Sequence, residues 1–390
     1  MKILILNTLY APYKLGGAEK SVQSLAESFV KNNYEVLVLT LGEENKKVNL
    51  NGVIVDKLEI RNIYWPFSND KKNSIQKLLW HINDAENARY DKKIIELFKD
   101  FKPNILFTNN LSGFSVRAWK LAKKFNIKIV HTLRDYYLQC PKSIKYKNDQ
   151  NCIKQCFDCK ILSVKKKRIS QNVDAVVGIS NFILDNHISN GYFSNATHKV
   201  IYNGFSFDKV KQINKRENKL VFGFIGQINK SKGIEFLLKS FREIEEIDDW
   251  ELLIAGNINN AYLTSLKNIN NSKKIAYLGY IDSTLFFKSI DILIVPSLWE
   301  EPFGRVVLEG LIHKKVVLGS NIGGIKELLD NNKDFLFNPH NLELNNILEK
   351  LLSSDDFIKK FKFNNEYLDQ FLIDNVSNKY VRLFKKVLNR

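Results

Sequence analysis

At 390 residues the chain is long for a single core and fits two domains of ordinary size. Its 44% apolar and 26% charged residues are those of a folded globular protein, and only four apolar residues separate Lys2 from Asn7, too few for a secretory leader; with no run long enough to span a bilayer, the cytoplasm is the expected location. The excess of 59 basic over 42 acidic residues, +17, favours an anionic partner: nucleic acid, anionic lipid or a phosphorylated substrate.

Residues Ile3 to Leu6 form an apolar run closed by Asn7, and Ala18, Val22, Leu25, Ala26 and Phe29 then recur at the spacing of a helix face. Gly16 and Gly17 therefore stand in a strand-to-helix turn. Glycine there lets a ligand approach the backbone, and a helix start offers N–H groups to an anion; a plain connecting turn is the alternative. Further strands are expected at Val36–Leu39, Val53–Val55, Ile105–Phe107, Ile127–Val130, Ala175–Val177 and Val200–Tyr202. Helical patterns separate most of them, including Ser74–Lys99 and Phe114–Phe125. Such alternation means a parallel sheet covered on both faces. The first half ends at Tyr202-Asn203-Gly204.

His131, Arg134 and Asp135 follow the strand Ile127–Val130 and so fall on the rim of that sheet. Arginine is no base at neutral pH but clamps phosphate or carboxylate, and a histidine at a strand end serves either packing or proton transfer. Between Cys140 and Ser170 nine basic residues face only Asp149 and Asp158, a local +7. All four cysteines, Cys140, Cys152, Cys156 and Cys159, lie in the same stretch. In a cytosolic protein such clustering points to metal before disulfide. The spacing fits a structural zinc chiefly in its Cys156–Cys159 knuckle, and buried or free thiols are equally open. Four thiolates would close the coordination sphere, so such a metal would not be catalytic. Next, ILSVKKKRIS sets Ile161, Leu162, Val164 and Ile169 among Lys165, Lys166, Lys167 and Arg168. That is the composition of a basic amphipathic helix on an anionic membrane surface, or of a surface helix whose apolar face meets the core.

The polar stretch Lys211–Lys219 reads as a linker. From Leu220 the strands VFGFIG, ELLIAG, IAYLG, DILIVP and KVVLGS alternate with helices near Ile234–Ile244, Tyr262–Ile269, Thr284–Ser289, Arg305–Ile312 and Ile325–Leu329. Ligands of open α/β sheets lie at the carboxyl ends of strands. Gly226-Gln227 and Lys232-Gly233 follow the first of these strands. A lysine at a helix start is unfavourable without an anion and can neutralise a leaving diphosphate. After Ile292–Val295 comes SLWEEPFGRVVLE, Ser297 to Glu309. Gly304 stands where a helix begins, so the N–H groups of Gly304, Arg305 and Val306 suit a phosphate. Glu301 and Glu309 are separated by up to about 12 Å of rise if the span is helical. That is the reach from sugar to ribose in a nucleotide diphosphate sugar, and a carboxylate binds a diol with two hydrogen bonds. Ordinary acids around a helix start are the plain alternative. Leu342 to Arg390 is helical.

Glu301-Pro302-Phe303-Gly304 followed by Glu309 resembles the E-x7-E signature of family 4 retaining glycosyltransferases, and the resemblance covers essentially the whole chain. It implies an α/β GT-B fold of two Rossmann-like doubly wound parallel-sheet domains facing each other across a cleft. These would be residues 1–205, with a Cys-containing basic excursion at 136–172, and residues 206–371, with the helix 372–390 packing back on the first domain. The resemblance gives Glu301 the donor sugar and Glu309 the ribose. It lays Gly16 to Glu19 over the donor phosphates and acceptor, puts Phe303 to Val306 in the donor site, and brings the base to Tyr280 and Ile281. The family usually has arginine where this chain has Gln227, and commonly His-Asp where it has Arg134-Asp135. Arg134 therefore inherits the place near the transferred sugar and acceptor.

The activity implied is retaining transfer of a sugar from a nucleotide diphosphate donor to a saccharide or lipid-linked saccharide, in bacterial surface polysaccharide or glycolipid assembly. It would take place at the inner face of the cytoplasmic membrane. No D-x-D pair ends a strand near these loops, so neither a metal nor another cofactor is expected in catalysis. A nucleotide-sugar epimerase or hydrolase would use the same fold without an acceptor. Nucleic acid is not an expected partner, because no recognition module appears and the basic residues cluster in one excursion.

Overall fold

The computed structural model describes residues 1–12, 16–66, 72–206 and 219–390, which form two compact units. The first comprises Met1–Lys145, Cys152–Ser206 and Asp369–Arg390, the second Tyr146–Asn151 and the described part of Phe207–Leu368. The expected linker lies, except for Lys219, outside the described residues. Among the described residues no helix is long and apolar enough to cross a membrane.

In chain order the strands up to residue 200 are β1 (Lys2–Leu6), β2 (Glu35–Gly42), β3 (Lys46–Leu50), β4 (Val53–Glu59), β5 (Ile105–Thr108), β6 (Lys128–Leu133), β7 (Tyr146–Lys147), β8 (Gln150–Asn151), β9 (Ala175–Gly178) and β10 (Thr197–Val200). All but β7 and β8 form one sheet in the order β10-β9-β6-β5-β1-β2-β4-β3. It is parallel except for β3, which runs antiparallel to β4 at the edge. The short apolar runs become its central strands because both faces are covered and favour apolar side chains; β5 is buried throughout.

One covering layer brings together the helix Gly17–Lys31 and the C-terminal helix Ile373–Leu388. Phe107 of β5 meets Tyr380 and Phe384 at ring separations of 5.2 and 5.4 Å, and Phe384 meets Phe29 at 5.7 Å. The return segment is also tied by backbone, with Phe205 N–H donating to Phe371 O and Ile373 N–H to Phe205 O. Emptying the Phe384 site costs about 3–5 kcal/mol, so this helix belongs to the fold of the first unit.

The pattern at Ser74–Lys99 is two helices, Ser74–Ala85 and Asp91–Asp100. Long-range hydrogen bonds break it: Asn87 donates from its side chain to Gly113 O and Arg61 O, and buried Asp84 accepts from Gly113 N–H at 2.5 Å.

The second unit holds β11 (Leu220–Ile225), β12 (Trp250–Ala255), β13 (Ile275–Gly279), β14 (Ile292–Val295), β15 (Val316–Ser320) and β16 (Leu336–Phe337). They pair in parallel in the order β13-β12-β11-β14-β15-β16. Its core is aromatic: Phe241 packs on Phe222 at 5.2 Å and on Trp250 at 5.0 Å. In each sheet the strand order turns once near the middle, between β1 and β5 and between β11 and β14. A crevice opens at the carboxyl ends of such a pair, because the two connections leave to opposite faces.

Candidate active site

In the second unit, β11 and β14 deliver the charged residues to one rim. After β11 the chain makes a short helical turn, Lys230–Lys232, where the Asn229 side chain accepts from the Lys232 N–H at 3.1 Å. Gly233 then adopts φ 77°, at a point where a Cβ would lie 1.7 Å from the Pro296 carbonyl oxygen. Only glycine allows the turn to close on the end of β14. Ser231 O accepts from Leu298 N–H at 2.9 Å and from Trp299 N–H at 3.2 Å, so the two loops are stitched together.

This contact sets the chemistry. Lys232 Nζ donates to Glu301 Oε1 at 2.8 Å, Ser297 Oγ donates to the same oxygen, and the ammonium lies 5.3 Å from the Trp299 ring centroid. Gly304, with φ 90°, starts the helix Arg305–Ile312. Four residues on, Glu309 Oε1 accepts from Arg305 Nε at 3.0 Å. Of the span from Glu301 to Glu309 only the part from Arg305 is helical, so helical rise alone does not set the separation of the two carboxylates. The amides of Arg305 and Val306 stand in the first turn of that helix, the end whose dipole favours an anion. Phe303 is buried beneath the loop, and Gly324 N–H donates to Glu301 O at 2.7 Å from the following loop. Along the same rim, Gln227 and Tyr280 are exposed and Ile281 half-buried.

An unexpected support comes from the basic excursion. The β7–β8 hairpin belongs to the second unit. Asn151 Nδ2 donates to Leu298 O at 2.7 Å, and its Oδ1 accepts from Glu300 N–H at 3.0 Å. One side-chain amide thus satisfies both polar groups of the backbone just before Glu301. Asp149 at the hairpin tip lies 3.8 Å from Lys230.

In the first unit, Arg134 and Asp135 follow the carboxyl end of β6, whereas His131 lies within that strand rather than after it. Arg134 is buried and donates to Asn109 Oδ1 at 2.8 Å and Asn203 Oδ1 at 2.5 Å. Asp135 accepts from Asn110 Nδ2 at 2.6 Å and from Tyr137 N–H at 2.8 Å. Burial pushes its carboxyl up to about 6, and the charge of Glu19 acts in the same direction. Glu19 in turn accepts from Gly16 N–H at 3.0 Å, beside Gly17 at the helix start; the loop residues 13–15 just before it lie outside the described residues. His131 is a packed residue. Its Nδ1 lies 2.9 Å from Thr108 Oγ1, its ring is 4.9 Å from Trp119 and stacks on Phe193, and burial drives its pKa down to about 3.

Asn109, Asn110 and Asn203, which organise this edge, and Ser297 and Asn151 in the second unit are functional residues that the sequence expectations do not include. The signal for the first group was present: paired asparagines directly after a buried strand are costly unless their hydrogen bonds are used.

The cysteine expectation changes. Cys156 Sγ donates to Cys159 Sγ at 3.2 Å, and interaction with Cys159 and with neighbouring backbone amides lowers the Cys140 thiol below its ordinary value. Two thiolates on a tetrahedral zinc with bonds of about 2.3 Å stand about 3.8 Å apart, wider than this hydrogen-bonded pair. Among the described residues no group of three or more Cys, His, Asp or Glu is placed to hold a metal, so structural zinc finds no support. The basic run is not one solvated face either. Lys166 is buried, 3.7 Å from Asp84 and over the Tyr137 ring at 3.4 Å.

The family model for glycosyltransferase family 4 matches residues 15–209, and that for glycosyl transferases group 1 matches residues 206–366. The chain is 35% identical over 387 residues to an uncharacterized 42.6 kDa protein in the cps region of Klebsiella pneumoniae, covering 99% of this chain and all of that one. Among solved structures, Anabaena HepE in complex with UDP superposes with a TM-score of 0.71 at 17% identity, covering 99% of this chain and 100% of that one. A glycosyltransferase from Rickettsia africae gives 0.68 at 21%, covering 99% and 98%.

Proposed function

Because the chain belongs to glycosyltransferase family 4 and has the GT-B fold, we propose that it is a retaining, metal-independent enzyme that moves a sugar from a nucleotide diphosphate sugar to an acceptor hydroxyl. The observation that carries this is the Lys232–Glu301 pair beside the Gly304 helix start, at the rim where β11 and β14 part.

Each group has a part. The donor diphosphate lies against the amides of Gly304, Arg305 and Val306, with Lys232 beside it. An ammonium has three donors and Glu301 takes one, so Lys232 meets the phosphate while holding the carboxylate in place. The other oxygen of Glu301 receives sugar hydroxyls, and Glu309, steadied by Arg305, receives the ribose diol. The C1–O bond to the diphosphate breaks as the acceptor oxygen bonds C1 and passes its proton to the departing diphosphate oxygen, which has taken the bonding pair. The developing diphosphate charge is stabilised by donors already in position, which is where such sites gain most of their rate. Gln227 replaces one cation usual at this rim, so a larger share falls to Lys232. In the first unit Arg134, fixed by two asparagines, and Asp135 receive the acceptor, with Gly16 and Gly17 alongside; His131 supports them by packing.

HepE binds UDP, which supports a uridine donor as the first to try. The cps-region relative supports a role in surface polysaccharide or glycolipid assembly, with a saccharide or lipid-linked saccharide as acceptor at the inner face of the cytoplasmic membrane. The test is a thermal-shift screen of nucleotide sugars followed by transfer assays of the hits with membrane lipid extract. Transfer that needs both partners is expected. Conversion of donor alone to an epimer or free sugar, undiminished without acceptor, would overturn the reading.

A further inference from the structure

The helix Ser74–Ala85 carries Ile75, Leu78, Leu79 and Ile82 at i, i+3, i+4 and i+7, a single apolar stripe. Such a stripe ordinarily meets the core. Here Ile75 is 71% exposed and the other three are half exposed. The helix is anchored by other residues, chiefly buried Trp80, whose Nε1–H donates to Tyr64 O at 3.0 Å. The neighbouring helix Phe157–Ile169 behaves alike: Ser163, Lys166 and Ile169 face inward, while Phe157, 76% exposed, and Ile161 and Val164, each more than half exposed, turn outward at i, i+4 and i+7. Ion pairs Lys166–Asp84 and Lys165–Glu86 join the two helices within the first unit. Seven large apolar side chains are thus presented by adjoining helices, more than the scattered exposure of an ordinary surface.

The charges around them choose the occupant. Lys77, Lys160, Lys165, Lys167 and Arg168 are exposed on these helices, with Asp158 the exposed acid among them. A second copy seated symmetrically would bring the same positive charges face to face. A surface apolar within and negative at its boundary matches both features, which describes a bilayer with anionic headgroups.

We propose that the ridge formed by Ile75, Leu78, Leu79, Phe157, Ile161 and Val164 is a membrane-docking surface that enters the headgroup region of an anionic bilayer. It deepens the reading of a membrane-presented acceptor and rests on that reading for its purpose, whereas its binding does not depend on turnover. The ridge differs from the basic run read in the sequence, because one stripe lies on a helix without that run and Lys166 faces inward.

The test is flotation of the full chain with phosphatidylglycerol-containing vesicles and with pure phosphatidylcholine vesicles, for wild type and for an Ile75→Ser/Leu78→Ser/Leu79→Ser variant. These side chains are exposed, so the variant should keep its melting temperature and its stabilisation by UDP. Expected are salt-sensitive binding to the anionic vesicles and a loss of roughly tenfold or more in the variant. Unchanged flotation of the variant, or no binding by wild type, would overturn the proposal. So would a concentration-dependent dimer that the variant abolishes while vesicles bind neither protein. Vesicle binding lost in the variant, with no nucleotide sugar turned over by wild type, supports the docking surface and sinks the transfer reading alone.

Discussion

The two rims solve the same problem, placing polar groups at the carboxyl ends of buried strands, with different materials. In the second unit the work is done by ion pairs, Lys232–Glu301 and Arg305–Glu309, whose side chains are 12–23% exposed. In the first it is done by amides that hold one buried arginine and one carboxylate, Asn109 and Asn203 on Arg134 and Asn110 on Asp135. Partly exposed ion pairs add little to stability and remain available to a charged ligand. A buried hydrogen-bonded network cannot lose a member without leaving another unsatisfied. Mutations should therefore separate activity from stability in the second unit and damage both in the first.

The sharpest way to break this contrast is Lys232→Ala. Loss of the cation at the diphosphate should lower the transfer rate roughly 100- to 1000-fold while changing unfolding free energy by no more than about 1 kcal/mol, read from initial rates and denaturant titration. A large stability loss with a modest rate effect would reverse the assignment. Arg134→Met comes next. It strands the Asn109 and Asn203 oxygens and should cost about 3 kcal/mol of stability, seen as an earlier urea midpoint at unchanged slope. A smaller effect is expected from Asn151→Ala, which frees the backbone at Leu298 and Glu300. The rate should fall about tenfold through misplacement of Glu301, with UDP affinity nearly unchanged; an unaltered rate would show that the hairpin does not position the loop.

The mildest test concerns pH. The folded Asp135 carboxyl, at about 6, lies above its unfolded value of about 4, so the folded state takes up its proton first. Its contribution to stability is whole below about pH 4 and is lost as pH rises through about 6. Wild type should accordingly lose ground to Asp135→Asn across that window, and a pH-independent difference between the two denaturation curves would contradict it.

Much of the second unit was legible because its strands are apolar runs and its helices keep a regular period. The helix Arg305–Ile312 was placed to the residue, and the expected Lys232 and Glu301 proved to be partners. What could not be read depends on residues far apart in the chain. Lys46–Leu50 is an edge strand with one neighbour and no strong apolar pattern. Ser74–Lys99 keeps a helical rhythm through Asn87, yet the helix stops where Gly113 and Arg61 compete for its hydrogen bonds. Lys165 to Lys167 look alike in sequence, but helical geometry turns Lys166 alone inward to Asp84. The turn of the β7–β8 hairpin could be suspected from Asn148-Asp149, both at positive φ, whereas its use by the second unit could not.

The central claim is that the donor nucleotide is held by Glu309 and the amides at the start of its helix. Isothermal titration of UDP into wild type and Glu309→Ala tests it most directly. A dissociation constant weakened by roughly tenfold or more, with an unchanged melting temperature for the unliganded variant, is the predicted result. Equal affinity of the two proteins for UDP would contradict the account.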